Sequence, residues 1–270
     1  MNIPKELKDI SWQVDEPTYR ADPALSYSTL AKFEREGFNK LDHLFDHIST
    51  QSLLEGSMVD CLITGSQEEF DDLYYVADFP SIGDKEQQIV LALYDKLHTT
   101  YSQFSSIPCE EILSIIYAYD WQKNWRDDTR VRVFSERVAS FYNIKIQAGD
   151  KIVVDSDTYN RVSKMVQALK TSPATQGYFA DNDPMSPVKR YYQLKFRAKF
   201  EGVCYRCMMD LAIVDYEEKK IYPIDLKTSG HKEWDFQDSF EQWSYMIQAR
   251  LYWRILKANM SNDPYFKDFT

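Results

Sequence analysis

Three closely spaced strand-like runs in the last third of the chain constrain the fold most. Each run alternates polar and apolar side chains or is largely apolar, and each is bounded by turn residues. Glu201-Gly202 predicts the first turn, and residues 215–219 predict the second. The strands are predicted at residues 189–200, 203–214 and 220–227. Strands joined by such short turns lie beside one another, so this segment predicts a compact β-meander.

The remainder of the chain carries mainly helical patterns. We therefore predict an α/β (α+β) fold with a mixed β-sheet flanked by helices, in a single domain over residues 1–270. Its mainly helical part is residues 1–187, which include a helix at 51–64. Residues 188–258 form the meander and a closing helix, which is predicted at 238–258.

The chain is acidic, with a net charge of −10. Duplex DNA is densely negative, so this charge excludes a protein that coats nucleic acid over its whole surface. A site that holds divalent cations can still lie in a locally basic groove. The N terminus has no secretory signal, no apolar run reaches the ~18 residues of a membrane span, and four cysteines fit a reducing compartment. We expect a cytoplasmic protein that does not contact a membrane.

Asp210, Asp225 and Lys227 are the candidate catalytic residues. Side chains two apart on a strand share a face, so Asp225 and Lys227 are predicted to project together. Asp210 lies on the preceding strand, which a tight turn places beside the third. Two carboxylates can hold Mg²⁺ or Mn²⁺ with positions left for water and a phosphate oxygen. The lysine can orient the attacking water or help to deprotonate it, and can stabilise transition-state charge.

Asp-x-Lys alone is weak evidence, because this triplet is common as a solvated ion pair on exposed strands. Two companions strengthen it. Gln248 and Tyr252 share a helix face, with Tyr245 one turn earlier. Asp60 lies four residues after Gly56 in a largely apolar helix, where an unpaired carboxylate is costly and a metal ion would serve as partner. Each of these residues, considered alone, has a simpler interpretation. Tyr252 could be a core residue, Gln248 could lie at the boundary of the core, and Asp60 could be exposed on the helix surface.

In their order along the chain, these motifs resemble the RecB-like branch of the PD-(D/E)xK nuclease superfamily, and within it the RecE-type phage exonucleases (exodeoxyribonuclease VIII-like). The matching motifs are Gly56-x-x-x-Asp60, Asp210, Asp225-Leu-Lys227-Thr228 and Gln248-x-x-x-Tyr252. Ser26-Tyr-Ser28-x-Leu30 near the start is a further similarity.

The resemblance implies a restriction-endonuclease-like core and assigns roles to particular residues. Mg²⁺, or alternatively Mn²⁺, would be held by three carboxylates and one main-chain carbonyl, those of Asp60, Asp210, Asp225 and Leu226. Lys227 would be the catalytic lysine. Four side chains would contact DNA near the scissile phosphate: Thr228, Tyr245, Gln248 and Tyr252. The family most often has histidine where Asp60 stands, and aspartate is a competent Mg²⁺ ligand.

The implied activity is that of an exodeoxyribonuclease, which hydrolyses phosphodiester bonds from the ends of linear double-stranded DNA, 5′ to 3′, in phage-type recombination. The resemblance also implies a ring-like homo-oligomer and a single-strand annealing protein as partner. Two alternatives stay open. One is an endonuclease or structure-specific nuclease of the same superfamily, and the other is a catalytically silent DNA-binding module that retains the fold.

Other metal-like signals have simpler explanations. Cys204 and Cys207 face opposite sides of a strand, so they cannot chelate one ion unless the strand is bulged. His43 and His47 are four residues apart but lack further ligands, and we expect them to be solvent-facing helix residues. His231 is expected in a loop after Thr228.

Overall fold

Helices and strands both contribute to the fold, which confirms the predicted mixture of α and β structure. The computed structural model describes residues 4–45, 50–229 and 232–270, so His47 and His231 lie outside the described residues. The helices are α1 (Glu16–Ala21), α2 (Tyr27–Glu36), α3 (Gln51–Thr64), α4 (Gln67–Leu73), α5 (Asp84–Leu97), α6 (Cys109–Ala118), α7 (Asp127–Ala148), α8 (Ser156–Thr171), α9 (Phe236–Gln242) and α10 (Tyr245–Ser261). The strands are β1 (Tyr74–Ala77), β2 (Ile152–Asp155), β3 (Val188–Phe200), β4 (Val203–Asp215) and β5 (Lys220–Ile224). None of the helices in the described ranges combines the length with the apolar character that a membrane span requires.

The chain packs as two compact units, Ser66–Lys164 and the combination of Met1–Gly65 with Met165–Thr270. In Ser66–Lys164, β1 and β2 pair in parallel. Side chains of α5, α6 and α7 form the core of this unit, and its members include Ile89, Leu93, Ile116, Phe134 and Phe141. Neither strand is predicted from the sequence, because four residues are too few to establish an alternating pattern.

The unit that combines Met1–Gly65 with Met165–Thr270 contains an antiparallel sheet of strand order β3-β4-β5. The backbone φ angles of Glu201 and Gly202 are 51° and 86°, the left-handed values that a two-residue hairpin turn requires at both central positions. The predicted turn and the first two predicted strands are therefore confirmed. Helix α3 also has the bounds that the sequence predicts.

Helix α10 packs against β3 and β4 and buries an apolar core between helix and sheet. Leu251, Ile255 and Leu256 of the helix belong to one cluster with Phe196 and Met209 of the sheet. Burial of each such side chain stabilises the fold by about 1.5–3 kcal/mol. This core fixes the helix on the sheet, and with it the polar residues on the first turns of α10.

The third strand is shorter than predicted. Strand β5 ends at Ile224 and not at residue 227, so Asp225 and Lys227 follow the strand and do not lie on it. The main-chain N–H of Leu226 donates to the side chain of Asp210 at 2.7 Å. The Leu226 amide thus bonds to a side-chain carboxylate and not to a main-chain carbonyl of β4, and the regular strand pairing ends there.

The predicted closing helix is also divided. Helix α9 ends at Gln242, and α10 begins at Tyr245. Between them Ser244 has a left-handed φ of 54°, which interrupts the helix, and its hydroxyl donates a hydrogen bond to the carboxylate of Glu34. The prediction of one continuous helix at 238–258 is therefore wrong.

Candidate active site

Asp210 and Asp225 are neighbours across the sheet. Leu211 of β4 pairs with Ile224, the last residue of β5, so the same register places Asp210 opposite the first residue after the strand. The charge of Asp225 acts on Asp210, and like charges at neighbouring positions repel each other. The sheet therefore brings two carboxylates together where both need a positive partner.

The strand on the other side of Asp210 is also irregular there. Gln193 is the position across from Asp210 in β3, because Tyr192 pairs with Leu211. Gln193 leaves the otherwise continuous pairing of the two strands and has a φ of 52°, which is strained for a residue other than glycine. Asp210 is thus flanked by departures from regular strand structure on both sides.

Asp225 is held by a cation and an amide. Its Oδ2 lies 2.5 Å from Nζ of Lys227, and its Oδ1 accepts a hydrogen bond of 2.5 Å from Nε2 of Gln248. Although it forms this ion pair, Oδ2 is buried and accepts no hydrogen bond with regular geometry. Asp225 and Lys227 project together as predicted, but a loop conformation and not a strand face brings them together.

A third carboxylate, that of Asp60 on α3, belongs to the same electrostatic cluster. Burial, followed by the charges of Asp225 and Asp60, raises the pKa of Asp210 to about 8, whereas the Leu226 amide and Lys227 oppose this. Burial and then Asp225 raise the pKa of Asp60 to about 6. The neighbouring carboxylates therefore make it harder for Asp210 and Asp60 to ionise, which is the behaviour of a site that needs added positive charge.

The ammonium group of Lys227 lies between two aromatic rings. Its Nζ is 4.8 Å from the ring centroid of Tyr245 and 5.8 Å from that of Tyr27. Both distances are within the range of cation–π attraction. Tyr245 is predicted from the sequence to contact DNA, whereas Tyr27 is not among the predicted site residues, and the Ser26-Tyr27-Ser28 motif is the sequence signal that could identify it.

The remaining predicted residues border the same cluster. Burial raises the pKa of Tyr252 well above its ordinary value, and a side-chain hydrogen bond with Gln248 opposes this rise. Thr228 is exposed, and a Cβ built on Gly56 would lie 3.3 Å from its Oγ1. Gly56 therefore permits α3 to approach the loop after β5.

The main-chain amide of Leu226 donates its hydrogen bond to Asp210. Metal binding by the Leu226 carbonyl stays a prediction.

A cavity of about 230 Å³ opens beside these residues. Its lining includes Asp225, Lys227, Tyr245, Gln248 and Tyr252. This volume is below the roughly 300–1,000 Å³ of pockets that enclose a drug-sized ligand. The cavity is therefore of a size to receive one part of a longer chain.

Carboxylate oxygen is the type of ligand that Mg²⁺ and Mn²⁺ prefer, and Asp60, Asp210 and Asp225 supply this chemistry, with the buried Oδ2 of Asp225 accepting no hydrogen bond. Among residues 4–45, 50–229 and 232–270, no three His, Cys, Asp or Glu side chains are grouped as a ready metal site. In this arrangement Lys227 and Gln248 contact the two oxygens of Asp225.

The two cysteines of β4, Cys204 and Cys207, are free thiols, and Cys207 is fully buried.

Comparison with known proteins adds no assignment. No protein-family model matches the chain, and neither the curated proteins nor the solved structures include a significant match to it.

Proposed function

We propose that this protein is a divalent-metal-dependent nuclease that hydrolyses phosphodiester bonds at the ends of linear double-stranded DNA. One observation carries the proposal. Asp225 contacts Lys227 and Gln248, and Asp210 is its cross-sheet neighbour, at the edge of a cavity. A half-buried carboxylate pair with a lysine beside it is costly to maintain and is typical of a site with a chemical role.

The proposed fold is a restriction-endonuclease-like core formed by the meander and α10. In that core, β4 carries Asp210, the loop after β5 carries Asp225 and Lys227, and α10 carries Gln248. Apolar packing between α10 and the sheet keeps the three elements in fixed positions.

Asp60, Asp210 and Asp225 are the side chains that would hold Mg²⁺ or Mn²⁺. When bound, such a cation supplies Lewis-acid stabilisation of the negative charge that develops on the phosphate. Lys227 holds a proton at Nζ beside the position of the attacked phosphate and places a positive charge there. Gln248 orients Asp225 through its hydrogen bond, and the side chains of Tyr252 and Thr228 border the path of the DNA.

The details of substrate and assembly rest on the resemblance to RecE-type exonucleases. They comprise 5′ to 3′ digestion, a ring-like homo-oligomer and cooperation with a single-strand annealing protein. Linear duplex DNA is therefore the first substrate to test.

The decisive experiment compares Asp225→Ala and Lys227→Ala with the wild type on end-labelled linear duplex, with and without Mg²⁺. Each variant should lose at least ~100-fold in rate, because it removes a group that acts on the reacting phosphate. Lys220→Ala is the matched control, since it removes an exposed ion pair with Glu218 at 2.6 Å in the same part of the sheet. Circular dichroism checks that each variant is folded.

A wild-type rate in either variant would refute the assignment. Covalently closed circular DNA should remain intact while its linearised form is digested, and cleavage of the circle would identify an endonuclease instead. Divalent-metal binding without turnover on any DNA would identify a silent DNA-binding module.

A further inference from the structure

Phe236, Phe240 and Tyr245 line the cavity, and the exposed rings of Trp234 and Trp243 lie close to them along the chain. We call these five residues the aromatic surface. Trp234 is 75% exposed, Phe236 is 46% exposed and Trp243 is 43% exposed. Burial of aromatic rings of this size would stabilise the folded protein, and rings exposed to water do not contribute that free energy. Such a cluster on one short segment therefore indicates a binding role.

The rings are organised around Tyr245. Phe236 stacks on Tyr245 with ring centroids 6.3 Å apart and an interplanar angle of 30°, and Phe240 meets it edge-on at 6.1 Å. Phe236, Phe240 and Tyr245 line the same cavity as Asp225 and Lys227. One cavity thus offers flat apolar rings on one part of its wall and the candidate catalytic groups on another. A nucleotide has the same two parts, a flat base and a phosphate.

Three rings of the aromatic surface each have a cationic side chain within the range of cation–π attraction. The pairs, with the distance from the cation to the ring centroid, are Lys227 with Tyr245 at 4.8 Å, Lys232 with Trp234 at 4.9 Å, and Arg35 with Trp243 at 5.2 Å. Protein–protein interfaces are depleted in lysine, whereas grooves that bind single-stranded nucleic acid combine aromatic rings with positive charge. The combination therefore favours a nucleic-acid strand over a protein as the occupant.

We infer that the aromatic surface binds unpaired bases of a DNA strand by stacking, and that the substrate of this site is a strand end with unpaired nucleotides. The inference deepens the proposed function and rests on it for the hydrolytic step. Bases stacked on Phe236 and Phe240 would bring the adjoining phosphate towards Asp225 and Lys227. Bases inside an intact duplex are stacked on both faces by their neighbours, so an interior base reaches these rings only when its strand is unpaired.

Carboxylates on the same segment limit the electrostatic contribution to binding. Asp235, Asp238 and Glu241 lie between the aromatic residues and repel phosphate groups. Ring stacking must therefore provide most of the affinity, and binding should weaken less with added salt than binding through a basic groove does.

The test measures binding of a short single strand and of a matched blunt duplex, each with 2-aminopurine at its end, in EDTA so that no hydrolysis occurs. The variant is Phe236→Leu combined with Phe240→Leu, which keeps apolar volume and removes the flat rings. Phe240→Trp retains a ring, and Tyr178→Leu replaces a ring that is 47% exposed outside the cavity. Circular dichroism verifies the fold of each variant.

Wild-type protein should quench 2-aminopurine in the single strand. The double leucine variant should bind that strand roughly five- to 150-fold more weakly, the range expected for loss of base–aromatic stacking. Phe240→Trp should bind it more tightly than the double leucine variant because it retains a ring, Tyr178→Leu should bind it like the wild type, and blunt-duplex binding should hardly change in any variant.

Equal binding of the single strand by wild type and the double leucine variant overturns the inference. So does an equal loss of binding for single strand and blunt duplex. The two proposals fail separately. Ring-dependent binding without Mg²⁺-dependent cleavage contradicts only the nuclease, and cleavage with ring-independent binding contradicts only the stacking surface.

Discussion

Gln248 on α10 donates a hydrogen bond of 2.5 Å to Oδ1 of Asp225 in the loop after β5. Gln248 is only 6% exposed, so the bond is protected from competing water. A hydrogen bond to a charged acceptor contributes about 1.5–3 kcal/mol, and loss of the donor removes one of the contacts that hold the Asp225 side chain. The relationship links the helix to the sheet at the point where the proposed chemistry takes place.

Replacement of Gln248 by alanine should therefore reduce the rate of DNA hydrolysis by about 10- to 100-fold while the protein stays folded. The matched control is Gln237→Ala, which removes an exposed amide that bonds to Glu241 on α9. Single-turnover kinetics on linear duplex measure the effect. Equal rates for the two variants would show that the bond to Asp225 has no part in catalysis.

The metal-free protein should lose stability as the pH rises from about 4 to 8. The pKa of Asp210 is about 8 in the fold against an ordinary value of 3.8, so the folded state binds this proton more tightly than the unfolded chain. Stability is then greatest below the unfolded pKa and falls until the pH exceeds the folded pKa, by on the order of a few kcal/mol. Asp60 contributes in the same direction up to about pH 6.

Urea denaturation in EDTA at several pH values measures this loss, and Asp210→Asn should flatten the profile relative to the wild type. Mg²⁺ should stabilise the wild type more at pH 8 than at pH 5, because ionised carboxylates bind it better. An unchanged pH slope in Asp210→Asn would contradict the electrostatic description of the cluster.

Tyr27 should position Lys227 through its ring. Tyr27→Phe keeps the ring but loses the hydrogen bond from the phenol to the carbonyl of Trp243, whereas Tyr27→Leu loses both. The difference between the two variants isolates the cation–ring attraction, and we expect the leucine variant to be about two- to thirtyfold slower. Thermal unfolding of both variants is measured beside the hydrolysis rate, and a slower rate without a loss of stability identifies a positioning role for the Tyr27 ring.

Gln193→Gly should preserve or raise stability, by up to about 1 kcal/mol, because glycine adopts the left-handed φ of 52° without strain. The control is Lys199→Gly on the same strand, where the regular pairing with Cys204 predicts a loss of about 0.5–1 kcal/mol. Thermal unfolding of both variants gives the comparison. A loss in Gln193→Gly as large as in the control would mean that the conformation is not strained.

Local signals were sufficient to predict the parts of the site that lie in regular structure. Alternation and turn residues located β3 and β4, and helical periodicity located α3 with its Gly56 and Asp60. The order of the acidic and basic residues indicated that Asp210, Asp225 and Lys227 would meet. These predictions depend on short stretches whose backbone preference agrees with the final fold.

Tertiary contacts decided the rest. The end of β5 depends on a bond between Leu226 and Asp210, which are 16 residues apart, and the break before α10 depends on Ser244 meeting Glu34. Neither partner can be identified from periodicity. Tyr27 was missed for the same reason, since its ring reaches Lys227 only when α2 and the loop after β5 are brought together.

The bond from the Leu226 amide to Asp210 gives the site its own spectroscopic reporter. A main-chain proton that points at a carboxylate changes its magnetic environment when that carboxylate gains a proton or binds a cation. One resonance in a nitrogen–proton correlation spectrum would therefore follow the chemical state of the cluster during a titration, with no substitution in the protein and no label on the DNA.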